Sequence, residues 1–230
     1  YKGLWITGGN RVQITDNIFS ENKGTHGTDA SIFTSTDVLF GNNVVTDSRT
    51  ETISFENNTN LTIHGNVLIG DGANAGVIRQ NGTNMKGYLI ITNNTVLGSG
   101  NNIGLNNAVS SDPNAIYIVK NNVVDGWGNA SVKYDVSNNI YTGLSWSQLE
   151  RYGWHLMPGE FVETNLNKIF QSGYKLSSGS LAKDKGIPLN DVLPADLKLK
   201  FPNFNFLTDK DGIPRPQGSA WDIGAYEYCP

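Results

Sequence analysis

An asparagine recurs in six similar settings along the first 142 residues: ITDNIF (Asn17), FGNNVV (Asn43), IHGNVL (Asn66), ITNNTV (Asn94), VKNNVV (Asn122) and VSNNIY (Asn139). Successive anchors lie 26, 23, 28, 28 and 17 residues apart. A globular α/β domain needs no such drifting period, whereas stacked repeats joined by loops of unequal length produce one.

Before the anchors, apolar residues come in pairs spaced by two: Val12 and Ile14, Val38 and Phe40, Leu61 and Ile63, Leu89 and Ile91, Tyr117 and Val119. That alternation sends both side chains of a strand to one face, and one such face per repeat stacks into a continuous core. A second apolar run follows each anchor (Ile18-Phe19, Val44-Val45, Val67-Leu68, Val96-Leu97, Val123-Val124), and a third precedes each repeat (Leu4-Trp5-Ile6, Ile32-Phe33, Ile53-Ser54-Phe55, Val77-Ile78, Ile103-Gly104-Leu105). Three short strands and three corners per repeat describe one coil of a parallel β-helix. At the corner, asparagine tolerates left-handed backbone geometry, and its amide can bond the equivalent amide one coil away to form a ladder. The fold expected is all-β, a parallel β-helix over residues 1–142 with a C-terminal capping segment over 143–230. A leucine-rich repeat would need regularly spaced leucines and a helical segment per repeat, which are absent. Tyr1 opens inside a repeat-like strand without an initiator Met. It is read as a cut edge, with further coils expected upstream.

A formal charge of −4 and no run of Lys or Arg supply none of the clustered positive charge that nucleic-acid binding requires, so no nucleic-acid partner is expected. No apolar run approaches the roughly 18 residues of a membrane span, and no membrane partner is expected either. One cysteine, Cys229, excludes an internal disulfide framework. A monomer is expected.

After Tyr141 the asparagine rhythm stops, and seven of the eight prolines lie beyond it. Residues Ser145–Tyr152 (SWSQLERY) are expected to form the one short helix, and the rest of the tail is expected to be irregular. Two stretches stand out: YKLSSGSLAKDKG (Tyr174 to Gly186), and TDKDGIPRP (Thr208 to Pro216) with DIGAYE (Asp222 to Glu227).

The repeat resembles the right-handed parallel β-helix superfamily of pectate lyases, polygalacturonases, alginate lyases and epimerases, and phage tailspikes. The two tail stretches resemble segments that follow the last coils in many secreted bacterial β-helix proteins; Leu181 stands where those have proline. The resemblance implies a right-handed coil and a secreted or cell-surface protein. The scaffold alone does not set an activity, since lyases, hydrolases, epimerases and binders share it. For the tail, a structural role is expected, with Arg215 pairing to Asp222 or Glu227. A calcium ion held by Asp209 and Asp211 is the alternative, because alternate aspartates before a glycine resemble a calcium loop, here without its bidentate acid.

Outward side chains of equivalent strands form a shallow groove on such a scaffold. Aligning the third strand by distance to its anchor places Trp5, Ser31 and Ser54, then Thr7, Phe33 and Glu56, on one strip, joined by Gly104, Asn106, Arg79 and Gln80. Aromatic faces stack on sugar rings and amides bond their hydroxyls, so Trp5, Phe33, Gln80 and Asn106 are the expected substrate-binding residues. A polysaccharide lyase needs a cation beside the uronate and a base for the proton α to it. Arg79, Lys86 and Arg49 can neutralise, while Lys86, His64 or Tyr88 can act as base; His64 is expected at the surface or a corner. Pectate-lyase-like calcium sites draw acids from adjacent coils, and Glu51, Glu56 and Asp71 are the nearest supply here. A glycoside hydrolase needs two carboxyls roughly 5 to 9.5 Å apart. Asp29 and Glu51, 22 residues apart, are such a pair, with Glu56 as another candidate. The expected function is action on a polysaccharide, by lyase or hydrolase chemistry. The alternative is a non-catalytic glycan-binding or adhesive module.

Overall fold

A computed structural model describes residues 3–20, 28–48, 51–70, 77–82, 84–98, 103–104, 112–128, 135–143 and 155–230. Three parallel sheets run along the repeats. The first holds β1 (Leu4–Thr7), β4 (Ala30–Phe33), β7 (Ile53–Glu56), β10 (Ile78–Gln80), β13 (Ile103–Gly104) and β16 (Trp127–Gly128). The second holds β2 (Asn10–Thr15), β5 (Thr36–Gly41), β8 (Thr59–His64), β11 (Lys86–Thr92), β14 (Ile116–Lys120) and β17 (Asp135–Ser137). The third holds β3 (Ile18–Phe19), β6 (Val44–Ser48), β9 (Val67–Gly70), β12 (Thr95–Leu97), β15 (Val123–Val124), β18 (Ile140–Tyr141) and β19 (Phe161–Val162). Each coil visits the three sheets in turn, which is the parallel β-helix that the repeat implies.

The alternating pairs stack as columns. Val12, Val38, Leu61, Leu89 and Tyr117 are in register, as are Ile14, Phe40, Ile63, Ile91, Val119 and Val136. They meet inward residues of the other two sheets, among them Ile32, Phe55, Ile78, Val45, Leu68 and Val96, in one core. Burying each such side chain contributes roughly 1.5–3 kcal/mol, and the columns make that gain additive from coil to coil.

The anchor asparagines form the ladder. Each donates its backbone N–H and its Nδ2 to the Oδ1 of the next: Asn17 to Asn43, Asn43 to Asn66, Asn66 to Asn94, Asn94 to Asn122 and Asn122 to Asn139, at 2.8–3.1 Å. From Asn43 onward, Nδ2 also bonds a carbonyl of the preceding coil, such as Phe40 O from Asn66. The anchors themselves are not left-handed. The residue before each one is, with φ of 61° at Asp16, 55° at Asn42, 68° at Gly65, 54° at Asn93, 58° at Asn121 and 55° at Asn138. This corrects the corner reading and explains the doublets DN, NN and GN: the first residue makes the turn, which Gly, Asn and Asp tolerate best, and the second turns its amide inward.

The ladder has a direction, and a carboxylate receives its last donor. At the last coil Asn139 donates Nδ2 to Glu160 Oε1 at 2.8 Å, where Tyr141 Oη also donates at 2.8 Å. Met157 N donates to the other carboxylate oxygen at 2.9 Å. A carboxylate accepts without donating, so Glu160 ends a chain of donors. Burial pushes its carboxyl above the usual carboxylate range. At the first coil Asn17 is exposed, and its Oδ1 receives no hydrogen bond among the described residues.

Beyond β19 the tail is irregular, as expected, but it covers the flanks of the stack as well as closing it. Leu189, Leu193, Leu197, Phe201, Phe204, Phe206 and Trp221 pack on Leu39, Tyr88, Ile90 and Ile118, on the outer face of the second sheet. Ile169, Phe170, Leu176, Ala182 and Ile223 cover Leu97, Val123 and Ile140 of the third sheet, and Ala225 and Tyr226 cover Val67. The close approach depends on Gly224, at φ 102°, where a Cβ would lie 3.0 Å from Thr95 Oγ1. A short helix, α1 (Leu197–Lys200), was not anticipated; Lys200 reaches from it to Asp37 on β5 at 2.8 Å. The helix expected over Ser145–Tyr152 lies outside the described residues.

Arg215 pins the tail. Its Nη1 donates to Glu227 Oε2 at 2.8 Å and to Asp222 O at 3.0 Å, its Nη2 donates to Gly224 O at 2.9 Å, and neither charged side chain has any exposure. The two stretches singled out in the sequence are knitted together: Asp184 N donates to Asp222 Oδ1 at 2.6 Å, and Gly186 N to Trp221 O at 2.7 Å.

Candidate functional site

The apolar clusters that join the tail to the stack draw on the second and third sheets and contain no residue of the first. Among the described residues no such cluster covers the outer face of the first sheet, where Trp5 and Thr7 are exposed, Phe33, Glu56 and Arg79 are half-buried, and Ser31 and Ser54 are buried. Register puts Trp5, Ser31, Ser54, Arg79 and Gly104 in one outward row, and Thr7, Phe33 and Glu56 in the next. Alignment by distance to the anchor gave Trp5, Ser31 and Ser54, then Thr7, Phe33 and Glu56; the register with Ser54 adds Arg79 to the first row.

At the first coils Trp5 is 58% exposed, and its ring lies 5.3 Å from that of Phe33, tilted by 55°. Trp5 Nε1 donates to Thr7 Oγ1 at 2.8 Å, which fixes the indole. Two coils on, Arg79 Nη1 sits 2.8 Å from Glu51 Oε1, while Thr28 Oγ1 donates to Glu51 Oε2 at 3.0 Å. Asn81 Nδ2 donates to Ser54 Oγ at 2.5 Å. At the far edge of the sheet, Asn57 Nδ2 donates to Glu56 Oε1 at 3.2 Å. The Glu56 side chain lies over Gly82, where a Cβ would fall 2.5 Å from Glu56 Cγ.

The five expected catalytic residues do not form one cluster. Asp29, Glu51 and Arg79 gather near the start of the strands, where Asp29 N donates to Glu51 O at 3.4 Å and the Asp29 side chain is buried. Glu56 sits at the other edge. Lys86 begins β11 on the second sheet, opposite Thr59, and is exposed there. Gln80 is corrected from the strip: it aligns with Phe55, is 2% exposed and donates Nε2 to Gly82 O at 2.6 Å. The reason is alternation, since Arg79 pointing out sends Ile78 and Gln80 in. Asn106, Arg49 and Asp71 lie outside the described residues.

The other expected bases are unsuited to proton abstraction. His64 is fully buried, not at the surface: Phe204 and Phe206 of the tail press edge-on against its ring, and Nδ1 shares a hydrogen with Thr92 Oγ1 at 2.9 Å. Burial, reinforced by the Arg215 charge, lowers its pKa from 6.5 to about 3. The fold thus binds fewer protons than the unfolded chain between those values, so His64 contributes stability above pH 6.5 that is lost as pH falls toward 3. Wild type should lose roughly 1.5 kcal/mol from this group between pH 6.5 and 5, the slope approaching about 1.4 kcal/mol per pH unit once the unfolded-state histidine is fully protonated. His64→Leu should flatten the dependence of the urea midpoint over that range, and parallel profiles would refute the assignment. Tyr88 is also buried, which pushes its pKa up to about 12.

The aspartates expected to bind calcium do not fit the ion. Asp209 Oδ1 accepts from Asp211 N and Ile213 N, both at 2.8 Å, and its Oδ2 accepts from Glu227 N at 2.9 Å. Asp211 faces two ammonium groups, Lys175 at 2.8 Å and Lys210 at 3.4 Å. No group of three or more His, Cys, Asp or Glu able to hold a metal occurs among the described residues. The DKDG segment works as a turn whose first carboxylate gathers backbone N–H groups. No protein-family model and no curated protein matches this chain.

Proposed function

We propose that this chain is a carbohydrate-active β-helix, secreted or displayed at the cell surface, that holds a polysaccharide along the outer face of its first sheet. The observation that supports it best is the exposed Trp5 against the half-buried Phe33, with Arg79 and Glu56 on the following coils of the same rows. Neighbouring strands lie about 4.8 Å apart, so Trp5 and Arg79 are about 14 Å apart along the sheet, with the buried Ser31 and Ser54 between them, a span that one polysaccharide chain can bridge. Aromatic rings supply the stacking surface and the polar groups bond the hydroxyls.

Hydrolysis is supported by Asp29 and Glu51, two acids on adjacent coils whose backbones meet. A non-catalytic glycan-binding module is favoured instead by the burial of Asp29 and the engagement of Glu51 with Arg79 and Thr28. Titration against a polysaccharide panel, followed by assays for reducing ends and for unsaturated uronates, separates the readings. Trp5→Ala should weaken binding by about tenfold, the loss of roughly 1.4 kcal/mol of stacking. Release of reducing ends that stops in Glu51→Gln supports hydrolysis; binding without either product supports the module. Absence of binding to every polysaccharide would sink the carbohydrate reading.

A further inference from the structure

Arg79 is the only cation that the described residues place on the outer face of the first sheet, and it is already paired. Its Nη1 lies 2.8 Å from Glu51 Oε1, and the Glu51 side chain is only 16% exposed. Thr28 fixes the second Glu51 oxygen at 3.0 Å, so the carboxylate is held on both sides. Glu56 adds a further negative charge two residues along β7 from Ser54, and no described cation pairs with it. Together Arg79, Glu51 and Glu56 carry a net formal charge of about −1 at neutral pH.

We infer that Glu51 is a specificity residue: by occupying Arg79 it makes the first sheet a site for uncharged polysaccharide and excludes polyuronates. The inference rests on the carbohydrate reading of this face. Glu51 already offsets the Arg79 charge, so a uronate reaching the remaining N–H groups of this 41% exposed guanidinium meets a neutralised pair and the negative field of Glu56. An uncharged sugar does not feel that field. Its ring lies against Trp5 and Phe33, and its hydroxyls meet Glu56, Asn57 and Asn81 with no charge to neutralise.

The test compares uncharged polysaccharides (xylan, galactan, β-glucan) with polygalacturonate and alginate, by calorimetry at low ionic strength with a chelator present. Wild type should bind at least one uncharged polymer, with an affinity insensitive to added salt, and should bind both polyuronates at least about tenfold more weakly. Glu51→Gln removes the competing charge while keeping an oxygen for Thr28, and should gain about tenfold in polyuronate affinity, a gain that salt suppresses. The double variant Glu51→Gln/Arg79→Gln should lose that gain. Wild-type binding of a polyuronate as tight as that of any uncharged polymer overturns the inference. So does strongly salt-sensitive wild-type binding, a readout that needs no folded variant, and so does a natively folded Glu51→Gln protein that gains nothing. If wild type binds neither class, the carbohydrate reading falls first and this inference with it.

Discussion

Replacing Arg215 by methionine should destabilise the protein by about 3–5 kcal/mol and lower its melting temperature by about 10 °C. The arginine and Glu227 are both without exposure, and the guanidinium also serves Asp222 O and Gly224 O. Removing it leaves a buried carboxylate whose remaining partners are the backbone N–H groups of Gln217 and Asp222. Burial already lifts the Glu227 carboxyl against the opposing Arg215 charge, so the unpaired group would be driven toward its neutral form. Arg215→Met/Glu227→Leu should recover much of the loss, because an apolar pair carries no desolvation cost. Urea denaturation of the single and double variants measures both effects. A single-variant loss under about 1 kcal/mol would show that the tail is not pinned here.

Asn66→Ala should be comparably severe, at about 4 kcal/mol or more, whereas Asn17→Ala should cost under about 1 kcal/mol. Asn66 is fully buried and receives the N–H and Nδ2 of Asn43. Its own Nδ2 bonds Phe40 O, His64 O and Asn94 Oδ1, at 2.9–3.1 Å. Alanine leaves donors and acceptors unmatched on both neighbouring coils, each such buried group costing about 1–3 kcal/mol. In this 230-residue chain Asn17 is exposed and has nothing donating to its Oδ1 among the described residues, so water replaces what its truncation removes. Equal losses at the two positions would mean that the ladder is a string of local bonds and not a shared network.

The coil was legible because its signals are local and repeated. The alternating pairs named the inward columns of the second sheet, and the anchors named the ladder, including its short last step of 17 residues. The doublets were visible too, although the left-handed turn belongs to their first member. The row of Trp5, Ser31 and Ser54 followed from counting back from the anchors, while Arg79 joins it only through its register with Ser54. Gln80 was misplaced because the residues after β10 lengthen that coil and conceal which side of the alternation it takes.

Other features left a trace that alternation alone does not resolve. The runs VLF at Val38–Phe40, LII at Leu89–Ile91 and YIV at Tyr117–Val119 are apolar at consecutive positions, which is what a sheet covered on both faces requires. They announce a cover without naming it. Phe204, Phe206 and Trp221 supply that cover from more than 80 residues away, and with it the burial of His64.

The sequence by itself determined the coil, its inward columns and its ladder, because each depends on a residue's position relative to an anchor a few places away. Only the tertiary structure decided that the tail covers the second and third sheets, that Glu160 ends the ladder, and that Glu51 pairs with Arg79. Those are meetings between side chains on different coils or between coil and tail. Their geometry depends on loop lengths and packing that no local pattern encodes.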